Sequence, residues 1–147
     1  MGIVVRPAAP ADLDVLVRLA AEYCAADGHE FDEPTVRSGF APLLDDDRHG
    51  VVFVAELDGV IDGYGVVTWG WSIEIGGLDV VLDEVYAHTK GHGVGTALVR
   101  ELEAECRARG VKRIFLETEL ANEAARRLYE REGFTADSSI WMSKELR

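Results

Sequence analysis

Apolar runs at strand spacing and at helix spacing take turns along this chain, separated by glycine and proline breaks. Ile3-Val4-Val5-Arg6-Pro7 reads as a first strand, closed by Pro7 and Pro10. Leu13, Leu16, Val17, Ala20, Tyr23 and Cys24 then recur at helical spacing. Asp12 and Asp14 sit where the helix dipole favours acids, and Ala26-Asp27-Gly28 stops the helix. Pro34 suits the opening of a second helix, running to about Leu44. After the polar loop Asp45 to Gly50, Val51 to Leu57 reads as a buried strand and Asp58-Gly59 as a hairpin turn. The return strand runs from Val60 to Trp71, and alternation puts Trp69 and Trp71 on one face, in the core or at its rim. Ile75-Gly76-Gly77 turns the chain into a further apolar strand, Val80 to Ala87.

Lys90-Gly91-His92-Gly93-Val94-Gly95-Thr96 follows as a glycine loop. A helix begins at Ala97, with an inward stripe of Leu98, Val99, Leu102 and Cys106 and a stop at Arg109-Gly110. Val111 to Thr118 predicts a strand. Asn122 predicts the N-cap of a helix carrying Ala125, Leu128 and Tyr129 and stopped by Gly133. The tail, Phe134 to Leu146, reads as one or two strands, with Ile140, Trp141 and Met142 apolar. The order βααβββαβαβ(β) predicts an α/β fold with a mixed sheet and helices on its faces. The whole chain, 1–147, is expected to form a single domain.

Composition narrows the class. Apolar residues make up 48% of the chain and charged ones 29%, a globular profile. No apolar run approaches the ~20 residues of a membrane span, and the start lacks a signal-peptide pattern. Cys24 and Cys106 match no metal or redox spacing, so a cytoplasmic protein with reduced thiols is expected. His88 and His92 have no Cys or carboxylate at metal spacing to complete a site. The net charge of −12 argues against nucleic-acid binding. Residues 1–84 carry 17 acidic and 4 basic side chains, whereas residues 85–147 carry 10 and 11. The acidic half is either a solvated surface or a place for a cationic substrate, opposite a neutral half that takes a polyanion.

The glycine loop is the candidate for the polyanion. Alternate glycines allow a tight turn close to a ligand, and the helix that follows points N–H groups and its positive end outward. That geometry binds phosphate. The chain has no GxxxxGK[ST] string, and GxGxxG fails from Gly91, at Thr96, and from Gly93, at Leu98. What remains is Lys90-x-x-Gly93-Val94-Gly95, late in the strand order.

That string resembles the Gln/Arg-x-x-Gly-x-Gly/Ala loop of the GCN5-related N-acetyltransferase (GNAT) superfamily, with Lys90 at the Gln/Arg place. Asn122-Glu123-Ala124-Ala125-Arg126-Arg127-Leu128-Tyr129, ending in Gly133-Phe134, matches that family's Asn-x-x-Ala-x-x-Leu-Tyr…Gly-Phe signature. The hairpin at Asp58-Gly59 and the strand Leu82 to Ala87 extend the likeness over nearly the whole chain, and the Trp71-to-Tyr86 stretch is loosely similar to small-amine and diamine acetyltransferases.

The resemblance implies a sheet of six to seven strands with about four helices and a splayed central strand pair. It implies acetyl-CoA as cosubstrate, no metal, and transfer to a primary amine in a ternary complex. The pantetheine arm would lie along Val85, Tyr86 and Ala87. Lys90, Gly91, His92, Gly93, Val94, Gly95 and Thr96 would hold the pyrophosphate, and Asn122 would also contact the cofactor. Only His88 and Thr89 separate Ala87 from Lys90, about two residues fewer than the family commonly has.

Tyr129 is the candidate general acid for the leaving thiolate, or else a core tyrosine. An alkylamine is mostly protonated at neutral pH, so a base is needed. Glu84 is the first candidate and Asp83 the second, and alternation points them to opposite faces. Each could instead be a plain strand-end carboxylate. Glu22, Glu30, Asp32 and Glu33 are candidates for the acceptor mouth. The implied partner is a small cationic amine, with no nucleic acid and no membrane. A homodimer through sheet edges near the C-terminus is also consistent with the pattern. Two other classes stay open: a non-catalytic acyl-CoA-binding regulator of the same fold, and a protein or peptide acetyltransferase.

Overall fold

The structure, a computed structural model, describes residues 2–146, which divide into two compact units after Glu117. The first unit holds strand β1 (Ile3–Pro7), helices α1 (Leu13–Asp27) and α2 (Glu33–Asp45), and strands β2 (Gly50–Leu57) and β3 (Val60–Thr68). Strands β4 (Trp71–Ser72) and β5 (Gly77–Ala87), helix α3 (Val94–Ala108) and strand β6 (Arg113–Phe115) complete it. The six strands form a mixed sheet in the order β1-β2-β3-β5-β4, antiparallel throughout, with β6 added parallel to β5.

Local chemistry sets the helix limits. Gly28 ends α1 in a left-handed conformation, φ 70°. Asp32 caps α2 by accepting from the Thr35 amide at 3.1 Å, and Pro34 takes the first turn, where a missing N–H is harmless. Asp12, buried at the start of α1, accepts two bonds from the Arg6 guanidinium, at 2.8 and 3.1 Å, and ties β1 to that helix.

Helices cover the sheet on both faces. Leu16, Leu19, Phe40 and Leu44 of α1 and α2 share one core cluster with Val52, Val54, Tyr64 and Val66 of the sheet. On the other face α3 buries Val94, Leu98, Val99, Leu102 and Cys106. It comes close because Gly63 and Gly65 have no side chain there. A Cβ on Gly65 would lie 2.6 Å from Leu102 Cδ1, and one on Gly63 3.1 Å from Val94 Cγ1.

Two β-bulges interrupt the ladder. Ala55 pairs with Gly63 and Glu56 with Ile61, which leaves Asp62 as an extra residue on β3. Val66 pairs with Glu84 and Val67 with Leu82, which leaves Asp83 extra on β5. Strand β5 also loses a neighbour. Its parallel pairing with β6 covers only Asp79 to Val81. From Leu82 to Ala87 one edge of β5 pairs with no strand among the described residues. This is the splayed strand pair.

Several elements differ from the sequence pattern. The return strand ends at Thr68 rather than Trp71, and β4 pairs separately with Gly77 and Leu78. Between them Gly70 passes so near β5 that a Cβ would lie 2.5 Å from the Asp79 carbonyl oxygen. The two tryptophans therefore do not share a strand face. Trp69 donates its indole N–H to the Asp47 carbonyl at 2.6 Å beneath the Arg109 guanidinium, while Trp71 is 71% exposed. The strand expected over Val111 to Thr118 is only Arg113–Phe115.

The second unit holds helix α4 (Glu123–Arg131). The Asn122 side chain caps it by accepting from the Ala125 amide at 3.1 Å, and Gly133 follows at φ 96°. The strands expected between Phe134 and Leu146 do not form. Apolar Ile140, Trp141 and Met142 are exposed there. A strand needs a neighbour for its backbone groups, and an apolar triplet does not say whether an edge is within reach.

Candidate active site

The loop between β5 and α3 is built from its glycines. Gly91 and Gly93 take left-handed conformations, φ 76° and 83°, that a side chain would strain. Gly93 is the N-cap, so Val94, Gly95 and Thr96 belong to the first turn of α3 rather than to the loop. Helix geometry leaves the amides of this first turn without partners inside the helix. Val94 is buried and anchors the turn, while Gly91, His92 and Gly93 are exposed. The result is an exposed helix start fit for an anion.

The short approach to the loop is pinned from β3. The bulged Asp62, only 7% exposed, accepts from the Thr89 hydroxyl at 2.6 Å and from the Thr89 amide at 3.1 Å. Its carbonyl oxygen accepts from the His88 amide at 2.8 Å. Both residues of the two-residue approach are thus held by one aspartate. Lys90 does not reach forward over the loop. Its ammonium donates to the Ala87 carbonyl and lies over the Tyr86 ring, 4.4 Å from the centroid.

Val85, Tyr86 and Ala87 lie on the stretch of β5 whose edge is open. Such an edge receives an extended, amide-bearing chain by strand addition. On the face toward α1 and α2, Tyr64 pairs with Tyr86 and Val66 with Glu84, so these residues stand together. The Tyr64 hydroxyl donates to Glu84 Oε1 at 2.5 Å. Burial pushes the Glu84 carboxyl up from its ordinary range, against the lowering effect of this bond. Surrounding protein raises the Asp83 carboxyl too, although its side chain reaches solvent. The bulge at Asp83 breaks the alternation, so strand parity no longer places Asp83 and Glu84 on opposite faces.

Rings and a second carboxylate gather around Tyr86, two residues further along β5. Tyr23 lies edge-on to Tyr86, centroids 6.1 Å apart, and stacks with His29 at 6.4 Å. Glu22 Oε1 accepts from the Tyr86 hydroxyl at 3.0 Å and lies 2.7 Å from His88 Nδ1. The contact with His88 holds Glu22 below its usual range, while burial pushes Tyr86 up to about 12. Of the four acids expected at the acceptor mouth, Glu22 reaches β5. Asp32 caps α2, Glu33 pairs with Arg37 at 3.0 Å, and Glu30 is exposed.

Asn122 and Tyr129 belong to the second unit. Tyr129 is half-buried, its ring edge-on to Phe134 at 5.7 Å, and burial raises its hydroxyl pKa. Asp62 and Tyr64 were not singled out by the sequence pattern. The signal for both was the pair Gly63 and Gly65: glycine inside a strand marks a bulge or a close backbone approach. Among the described residues no cluster of three or more metal-type ligands exists, and no helix is long and apolar enough to cross a membrane.

The fold is thus a mixed sheet forked at its fifth strand, with the half-buried Glu84 on that strand and an exposed helix start after it. The chain belongs to the acetyltransferase (GNAT) family, whose profile matches residues 16–134. Solved structures share the fold. An integron cassette protein from the mobile metagenome of Cole Harbour Salt Marsh is 28% identical, with a TM-score of 0.86 over 97% of this chain and 90% of that one. A ribosomal-protein-alanine N-acetyltransferase from Brucella melitensis biovar Abortus is 23% identical, with a TM-score of 0.75 over 100% and 99% of the two chains. The aminoglycoside N-acetyltransferase AAC(6')-Iy, solved in complex with CoA, is 14% identical, with a TM-score of 0.82 over 98% and 95%. The last two show likeness of fold alone. No curated protein matches this sequence.

Proposed function

We propose that this protein is an acetyl-CoA-dependent N-acetyltransferase whose acceptor is a small primary amine carrying positive charge. The observation that carries the reading is the adjacency of three parts along the chain: the half-buried Glu84 and the open edge at Val85 to Ala87 on β5, and the glycine turn opening α3. A fold neighbour solved with CoA supports the same donor. The α3 start takes the pyrophosphate, and the open edge takes the amides of the pantetheine arm. Asn122 also contacts the donor.

The reaction needs one base and one acid. Glu84, with its raised pKa, removes a proton from the amine nitrogen, because a base titrating nearer neutrality works better at pH 7. The freed lone pair attacks the thioester carbonyl carbon, the C–S bond breaks, the thiolate takes its proton from the Tyr129 hydroxyl, and the second proton that the nitrogen sheds on becoming an amide passes to solvent, which reprotonates the Tyr129 phenolate. Tyr129 remains protonated at neutral pH because burial raises its pKa. A cationic acceptor follows from the carboxylates Glu22 and Glu84 and the rings of Tyr23, His29 and Tyr86, all but Tyr86 in the acidic half of the chain.

The test is release of CoA thiol from acetyl-CoA against a panel of polyamines, amino sugars, amino acids and peptides. Turnover confined to compact amines with a second positive charge supports the reading. CoA binding without turnover of any amine would overturn it in favour of a non-catalytic binder, and turnover of peptides alone would move the acceptor class to protein amines.

A further inference from the structure

The fully buried Tyr64 makes the single hydrogen bond that Glu84's side chain has among the described residues. We propose that Tyr64 is a positioning residue for the transfer: its hydroxyl fixes the Glu84 carboxylate in orientation and in its ionised form, with Oε2 left to receive the amine proton. The inference rests on Glu84 acting as the base.

The geometry is over-determined. Tyr64 and Glu84 stand diagonally on neighbouring strands, since Tyr64 pairs with Tyr86 and Val66 with Glu84. The Tyr64 ring cannot swing. Phe40 meets it edge-on at 5.5 Å and 80°, and Tyr86 lies against it at 6.4 Å. A hydroxyl held there, 2.5 Å from Oε1, selects one carboxylate rotamer. An O–H donor bonded to a carboxylate favours its charged form.

The other groups that act on Glu84 come from each packed element. Asp83 on β5 disfavours its charge, and His29, just beyond α1, favours it. Cys24 on α1 is itself raised by burial and by Glu84, and Tyr23 beside it acts on Tyr64. Tyr64 is the one direct donor in this set. The phenol itself stays protonated, since burial and the neighbouring carboxylate both push its pKa upward.

The experiment compares wild type, Y64F, E84Q and the double variant. Two readouts are taken: the pH dependence of kcat/KM, and the ¹³C NMR titration of the Glu84 carboxyl, assigned by its absence in E84Q. Y64F removes one oxygen and keeps the ring. Its acid limb and its Glu84 titration should both move upward by about one pH unit. In E84Q the added Y64F change should have no further effect on the pH profile.

A Y64F protein whose Glu84 titration stays at the wild-type pH overturns the proposal, even if its rate falls, because a merely structural role would lower rate without moving the titration. E84Q with full activity would instead remove the base assignment on which the proposal rests. A second measurement needs no folded variant of Tyr64. In wild type, the Tyr64 hydroxyl proton should give a downfield, slowly exchanging ¹H resonance that is lost as Glu84 protonates. A wild-type resonance indifferent to Glu84 titration would also overturn the proposal.

Discussion

Asp62 is where a small change should reach the cofactor loop. Replacing it with alanine removes the acceptors of the Thr89 amide and hydroxyl, at 3.1 and 2.6 Å, but leaves the backbone bond from the His88 amide to the Asp62 carbonyl. Hydrogen bonds to a charged group contribute about 1.5–3 kcal/mol each, and a part-buried donor left alone loses about 1–3 kcal/mol. The Thr89 hydroxyl can turn to water, so the amide dominates, and about 2 kcal/mol is a fair figure for releasing the turn. With the pinned turn as the binding state, that release lowers its population and weakens CoA binding by up to about 30-fold.

Losing a negative charge near an anion site acts in the opposite direction. D62N separates the two effects: it removes the charge but keeps an oxygen for the Thr89 amide and an N–H for the hydroxyl. Isothermal titration with CoA should therefore find D62A weaker than wild type by up to about 30-fold and D62N equal or tighter. Equal affinity in D62A would refute the anchoring argument. So would D62N as weak as D62A, since the bonds would then be beside the point.

Y129F should lower kcat by ~10²-fold while the Kd for CoA stays within about twofold, and an unchanged kcat would remove Tyr129 from the mechanism. G63A would put a Cβ 2.5 Å from the Tyr86 carbonyl oxygen and 3.1 Å from Val94 Cγ1, so urea unfolding should show a loss of about 1–3 kcal/mol; an unchanged midpoint would contradict the close packing. D12N should lose about 2 kcal/mol at pH 7, because Asp12 accepts two guanidinium bonds with its side chain 11% exposed. The Arg6 bonds hold the Asp12 carboxyl below its ordinary range, so its contribution is complete above the unfolded value and fades as pH falls through the folded one. Urea midpoints of wild type and D12N should accordingly converge below about pH 4.

Much of the architecture was legible because periodicity and punctuation agree. The stripe Leu98, Val99, Leu102 and Cys106 is the buried face of α3, and Pro34 and Asn122 stand at helix starts as their chemistry demands. Strand limits were less legible because they depend on partners. Val111, Ile114, Phe115 and Leu116 suit a strand, yet only Arg113 to Phe115 finds a neighbour in β5. The glycine loop could be read from its spacing, since positive φ is a local property of Gly91 and Gly93. Asp62 and Tyr64 could not be assigned roles that way. Each acts on a residue about 20 or more positions away, Thr89 and Glu84, and only the β3–β5 register brings them together.

The extra residue at Asp83 also has a consequence for how this chain is aligned with others. On the Ala87 side of the bulge, even-numbered positions such as Glu84 and Tyr86 share a face with Tyr64. On the other side, Leu82 pairs with Val67, so the parity reverses. A relative without the bulge is one residue shorter at this point. Its alignment needs a gap at position 83, and a gap placed instead in the turn at Gly76-Gly77 would shift its counterpart of every β5 residue before Glu84 onto the wrong face.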